Sequence, residues 1–421
     1  MSPTAGRAAD ARTLARRCGV AAAATAAAAA QFLTVPAAGA QPVTAVPAGA
    51  VERGGPGASH RDDPNAPVLS EHQIPLTTRF QADMHGSITR IANTLMTCDE
   101  TKPPVKAGVA SCEDARRGVG QGIFNNNYPM KYVNIEQPGT IGPLGDEIYS
   151  SSSADLKLAD QSDIKYARLY WGGTRGIGTD VLPLSQVDEV YFKAPGDSDF
   201  RDIANDGGQS NIGQINTTEE TAYQASADVT DIVKGAGNGT YEVANLDSVV
   251  KPHSWGSWTL VVAYENCNKP LRRINLWDGF QVELPNSPPI DVKLNGFNVP
   301  ADGSKMGAKL GYVAYDGDRT YTGDSLSVKT TNGPETQLSD AENPADDIMN
   351  STITETSPAD RFKRVPNYNN TFGLDADRFD ISKLIRPGDT DLRMRFNTAK
   401  DGYQVGAAYT YLNLDDSDDA S

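Results

Sequence analysis

From about residue 76 onward, the apolar positions of this 421-residue chain fall in short runs separated by Gly, Asp, Asn and Pro. The runs are rich in Val, Ile, Tyr, Thr and Leu, the residues that suit a pleated, half-buried surface. Tyr132–Ile135, Ala167–Trp171, Val190–Phe192 and Trp258–Tyr264 read as strands in the first half. Val292–Leu294, Leu310–Tyr315, Leu392–Phe396 and Val405–Leu412 do so in the second. Leu392-Arg393-Met394-Arg395-Phe396 alternates residue by residue, which predicts one buried face and one wet face. No long 3.6-residue periodicity interrupts this pattern, so the predicted fold class is all-β.

The order of these runs repeats. Ala227-Asp228-Val229-Thr230-Asp231-Ile232-Val233-Lys234 resembles Ala376-Asp377-Arg378-Phe379-Asp380-Ile381-Ser382-Lys383 at five of eight positions. Each copy follows an Ala-basic-Leu strand, at Ala167-Arg168-Leu169 and Ala308-Lys309-Leu310, by 60 and 68 residues. Each precedes an apolar strand containing Ala-Tyr, at Ala263-Tyr264 and Ala408-Tyr409. A shared order at similar offsets predicts two related β-sandwiches of jelly-roll type in tandem. In each copy Asp228 or Asp377 supplies a turn acceptor, Ile232 or Ile381 plugs a core, and Gly239 or Gly388 reverses the chain.

The amino-terminal end follows a different rule. Arg7, Arg12, Arg16 and Arg17 precede an Ala-rich apolar run over 18–33, and Ala38-Gly39-Ala40 offers small residues for cleavage before Gln41. This is the pattern of a secretory signal, 1–40, and the run is short for a bilayer span, so no membrane span is expected in the mature chain. Residues 41–75 are rich in Pro, Ala and Gly and read as a disordered leader. The predicted domains are then 76–286 and 287–415, with the boundary near Pro285–Pro289 and an acidic tail at 416–421. The net charge is −16, and loss of four Arg and one Asp with the signal takes it to −19. Such a surface repels nucleic acid and anionic lipid.

Export also favours disulfides. Cys18 leaves with the signal, and Cys98 with Cys112 is the natural pair, closing a loop for roughly 3 kcal/mol on the chain-entropy model. Cys267, which follows an apolar strand, reads as a small buried residue.

Two resemblances carry the functional expectation. The run Phe379 to Leu392, with Arg386-Pro387-Gly388-Asp389 inside it, resembles a motif of galactose-binding-like jelly rolls, which accompany many glycosidases and sugar-binding proteins. More widely, Asn93–Cys98, Asn125-Asn126-Asn127, Tyr170-Trp171-Gly172-Gly173, Trp277–Phe280 and Asn367–Thr371 are similar to the amino-terminal region of large, adhesin-like bacterial surface proteins. In that family the region precedes a β-repeat stalk and an anchor. Here Asp415-Asp416-Ser417-Asp418-Asp419 ends the sequence instead, which points to free secretion. The resemblances imply a secreted, non-enzymatic binding or adhesion module whose partner is an extracellular glycan or an envelope component. The alternatives are a glycoside-directed hydrolase or its accessory protein, and a purely structural envelope protein.

The sequence holds no GxSxG elbow, HExxH, P-loop or CxxC. The best cation candidate is Asp316, Asp318 and Asp324, clustered around two glycines between strands, where carboxylates and free carbonyls suit Ca²⁺. Asn343, Asp346 and Asp347 form a second set. Trp255, in the loop His253-Ser254-Trp255-Gly256, is the candidate for stacking on a sugar ring.

Overall fold

A computed structural model describes residues 71–217 and 219–415. The signal, nearly all of the leader and the acidic tail lie outside the described residues. Strand β1 (Ile74–Thr94) begins two residues before the expected start of order. Seven further strands complete a first roll: β2 (Ser151–Leu156), β3 (Asp163–Ile177), β4 (Glu189–Lys193), β5 (Arg201–Ala204), β6 (Thr221–Asp228), β7 (Gly239–Ala244) and β8 (Gly256–Glu265). They pair in two antiparallel sheets of order β1-β8-β3-β6 and β2-β7-β4-β5.

The second half repeats the pattern with β9 (Leu271–Glu283), β10 (Ile290–Asn295), β11 (Ala308–Tyr315), β12 (Asp324–Thr330), β13 (Thr336–Gln337), β14 (Leu374–Asp380), β15 (Asp391–Thr398) and β16 (Tyr403–Asn413). Its sheets are β9-β16-β11-β14 and β10-β15-β12-β13. Adding eight to every strand of the first roll gives the second. The first roll carries two further edge strands, Gly213–Asn216 beside β6 and Arg364–Val365 beside β2. The four-and-four set common to both rolls, connected in this order, is a jelly roll, so the chain is a double jelly roll. All-β sandwiches in tandem are what the strand pattern predicts.

The two rolls are not beads on a string. Along β1, Ile74 to His85 pair with β9 of the second roll, and Gly86 to Thr94 pair with β8 of the first. One strand therefore edges both inner sheets and joins them into a single hydrogen-bonded path. Gly86 marks the change of partner, where a Cβ would run into the Tyr264 carbonyl oxygen. The second roll also begins at Leu271, so residues 266–270 connect the rolls. Pro285 and Pro289, the expected boundary, flank the turn between β9 and β10 inside the second roll.

Three apolar layers follow from the period-two alternation. In β3, Ala167, Leu169 and Trp171 face the core of the first roll, and Tyr170 faces the other way. In β16 a bulge at Gly406 shifts the alternation by one, so Val405, Ala408 and Leu412 face the core of the second roll, while Ala407, Tyr409 and Tyr411 join Tyr170 in a layer between the inner sheets. Polar contacts cross that seam. Tyr170 Oη donates to Asp278 at 2.9 Å, Gln224 Nε2 to the Gly279 carbonyl at 2.6 Å, and Tyr315 Oη to Gln224 at 2.8 Å. Arg90 of β1 is fully buried and pairs with Glu355 of the second roll.

Cys98 and Cys112 form a disulfide, with Cα atoms 5.7 Å apart, inside a small core with Met96, Met130 and Tyr128. Cys267 is half-buried and is not a free thiol. Among the described residues no helix is long and apolar enough to cross a membrane.

Candidate metal centre at the seam

Loops from both rolls meet at one end of the seam. Glu220 stands immediately before β6, and His253 lies in the β7–β8 loop with a left-handed backbone, φ +78°. Asp316 directly follows β11, also left-handed at φ +64°. One ligand atom from each of these three side chains lies within 4.8 Å of the others. Glu220 is buried, while His253 and Asp316 remain partly exposed. The first two belong to the first roll and the third to the second.

The floor of this group is aromatic. Trp255 stacks on Tyr315 with ring centroids 4.8 Å apart, and its Nε1 donates to Glu220 Oε1 at 3.2 Å. Thr174 Oγ1 donates to Glu220 Oε2 at 2.6 Å. Two amides close the sides. Gln404 Nε2 sits 3.5 Å from Glu220 Oε1 and 3.4 Å from Asp316 Oδ2, and Asn125 Nδ2 sits 3.5 Å from Asp316 Oδ1. His253 Nε2 lies 3.3 Å from Glu219.

Negative charge accumulates here, with the His253 imidazole the basic group set against it. Burial, reinforced by Asp316, pushes the Glu220 carboxyl up to about 8. Burial and then Asp401 push Asp316 to about 7. Burial followed by the Asp401 and Asp316 charges holds Asp318 well above the carboxylate range, and burial followed by Asp324 takes Asp401 to about 7. A buried carboxylate with no compensating charge either keeps its proton or recruits a cation. Two carboxylates, an imidazole and amide oxygens are a donor set that can hold one.

The expected triad divides here. Asp316 belongs to the converging group; Asp318 and Asp324 do not. Asp324 instead accepts the backbone N–H groups of Ile348 and Met349 at 2.6 and 2.7 Å, fixing the β13–β14 loop. The second set also serves that loop. Asp347 accepts from Thr320 N at 3.0 Å, and Asn343 Nδ2 donates to Thr354 Oγ1 at 3.0 Å. Trp255 is a correction. At 1% exposure its ring is sandwiched into the seam and has no face for a sugar. The loop carrying it looked solvent-facing because the sequence gives no sign of the second roll packed against it. Glu220 and His253 escaped sequence reasoning for the same reason: they come within reach of Asp316 only through the packing of the two rolls.

No known family's model matches the chain, and no curated protein matches it. Among solved structures, a chain from the atomic structure of Sulfolobus Turreted Icosahedral Virus aligns at 11% identity, covering 79% of this chain and 92% of its own, with a TM-score of 0.21. The major capsid protein P2 from bacteriophage PM2 aligns at 11% identity, covering 63% and 97%, with a TM-score of 0.17. The description of the fold as a double jelly roll stands on the strand order alone.

Proposed function

We propose that the chain is a secreted, non-enzymatic binding module that engages an extracellular glycan or envelope component through the loop end of its two rolls. The observation that carries this reading is the convergence of loops from both rolls on one partly open acidic seam. Asn125 hydrogen-bonds the His253 carbonyl at 3.3 Å, Phe124 meets Tyr321 edge-on at 6.4 Å, and a Cβ at Gly118 would touch Arg319. Residues 118–125, 253 and 316–321 thus form one end face. That face also exposes Val119 and Tyr321, at 57% and 45%. Many jelly rolls hold a cation among such loops, and the shared strand β1 joins the sheets that carry them.

A glycan-array screen of residues 41–421, with and without Ca²⁺, tests the reading. Retention of a defined glycan class, lost on Tyr321→Ala, is the expected result. An array without hits, together with no binding to isolated envelopes, overturns it. A hydrolase would instead release product from the array or from a chromogenic glycoside.

A further inference from the structure

We propose that Glu220, His253 and Asp316 bind one divalent first-row transition cation of the Zn²⁺ or Mn²⁺ class, which staples the first roll to the second. This goes beyond the binding reading and stands whether or not the end face takes a glycan.

The donor atoms satisfy the geometry. Bonds of about 2.0–2.2 Å from nitrogen and oxygen to such an ion place neighbouring ligands within the 4.8 Å that encloses this group. An independent observation points to the same place. Gln404 and Asn125 are each 1% exposed, yet Gln404 Oε1 and Asn125 Oδ1 have no hydrogen-bond partner. Buried amide oxygens are rarely left so. The Gln404 nitrogen makes only long contacts of 3.4–3.5 Å, to Glu220 and Asp316, while the Asn125 nitrogen sits 3.5 Å from Asp316 and 3.3 Å from the His253 carbonyl. The oxygen and nitrogen of an amide exchange places by a half-turn. With a cation between the carboxylates, that half-turn replaces a weak donor with a carbonyl ligand and satisfies the orphaned oxygen. Gln404 contacts both carboxylates and is the better placed of the two for the fourth position.

The imidazole decides the class of ion. Ca²⁺ takes oxygen ligands, whereas imidazole nitrogen suits Zn²⁺ and its neighbours. The scaffold is already held by protein contacts. Thr174 and Trp255 both donate to Glu220, which orients a ligand through its outer hydrogen bonds. Glu219, 3.3 Å from His253 Nε2, can do the same for the imidazole when the ion takes the other ring nitrogen. Glu220 and His253 come from one roll, and Asp316 and Gln404 from the other, so the bound ion bridges the seam.

The test uses the full mature chain after dialysis against chelator. Titration calorimetry with Zn²⁺, Mn²⁺ and Ca²⁺ separately is expected to give one site for Zn²⁺ or Mn²⁺, at least tenfold tighter than for Ca²⁺, with an upward shift of the melting temperature. Asp316→Asn and His253→Ala should each weaken it about a hundredfold, while Asp360→Asn, remote at the surface, should leave it unchanged. A measurement on the unaltered protein guards against variants that misfold. Zn²⁺ should protect His253, but not exposed His72, from diethyl pyrocarbonate as read by peptide mass spectrometry. Tighter binding of Ca²⁺ than of either transition ion, unchanged affinity in folded variants, or modification of His253 at the same rate with and without Zn²⁺ would each overturn the proposal.

Discussion

The two rolls use the same positions for opposite chemistry. Asp228 pairs with Arg168 in the first and Asp380 with Lys309 in the second, which sets their registers in line. Counting back, Tyr223 and Ala225 of β6 match Asp375 and Asp377 of β14. Ala225 lies opposite Trp171 in an apolar core, whereas Asp377 lies opposite Tyr312. The second roll thus buries two carboxylates where the first buries an aromatic ring and a methyl group. The reason is the long β13–β14 connection, residues 338–373, which folds back over the sheet. Asp375 accepts from Thr352 N at 3.2 Å, and Asp377 accepts from Thr354 N and Oγ1 at 2.8 Å and from Tyr312 Oη at 2.9 Å. A carboxylate with several donors can bind a loop's backbone in a way no apolar residue can. The acidic richness of the second roll therefore has two origins, loop anchoring and the seam cluster, and only the second bears on the proposed cation.

The largest test of this contrast lies where the anchored loop meets the first roll. Arg90→Ala removes the nearer of the two arginines paired with Glu355, leaving Arg378 at 3.4 Å, and takes the donor from the buried Thr354 and Ala376 carbonyls, so it should cost about 3–5 kcal/mol in urea unfolding. A loss under about 1 kcal/mol would mean that the loop is not held against the first roll by this pair. Next, Asp377→Ala should cost about 2–3 kcal/mol by orphaning buried donors, whereas Tyr223→Phe in the matching strand should cost about 1 kcal/mol, having only its hydroxyl bond to the Asp247 carbonyl to lose. Equal costs would erase the difference between the rolls.

The buried acids also give a pH signature. Burial raises Asp377 to about 7 and Asp347 to about 6, so the folded chain holds protons that the unfolded chain has released. Their stabilising contribution is complete below about pH 4 and is lost as pH rises through 6 to 7. In chelator, the denaturation midpoint should be higher at pH 5 than at pH 8; the reverse order would refute the assignment. The smallest expected effect tests the likeness itself. Thr230 Oγ1 bonds both N–H and C=O of Ala167, and Ser382 Oγ does the same for Ala308. Thr230→Ala and Ser382→Ala should each cost about 1 kcal/mol, and a gap above 1 kcal/mol between them would break the equivalence.

The duplication was legible because its markers are local. The Ala-basic-Leu strand and the Asp-x-Thr/Ser turn keep their chemistry wherever the roll repeats. The register was not. Letter matching aligned Asp228 with Asp377, while the hydrogen bonds align it with Asp380, three residues on: Thr230 N donates to Asp228, and Ser382 N to Asp380, both at 2.9 Å. The core plugs are accordingly Val229 and Ile381, not Ile232 and Ile381. The Cys98–Cys112 pair needed only a short loop and could be read. Asp316 could be named as an acidic loop residue, but its partners lie 96 and 63 residues away, at Glu220 and His253, and no periodicity encodes a seam between sheets.

The shared strand β1 also dictates an order of assembly. Its two halves pair with Ser257–Glu265 and Leu271–Phe280, so this strand must wait for partners 163 to 206 residues downstream. Contacts of such separation are entropically late and slow. As the chain emerges from its amino-terminal end, neither inner sheet can gain this edge strand until the β8–β9 hairpin has formed, and closing β1 onto that hairpin commits both rolls in one event. A chain cut after Glu265 would leave Ile74–His85 without its partner strand, an open edge that invites pairing between copies. The first roll on its own should therefore aggregate where the whole chain stays monodisperse.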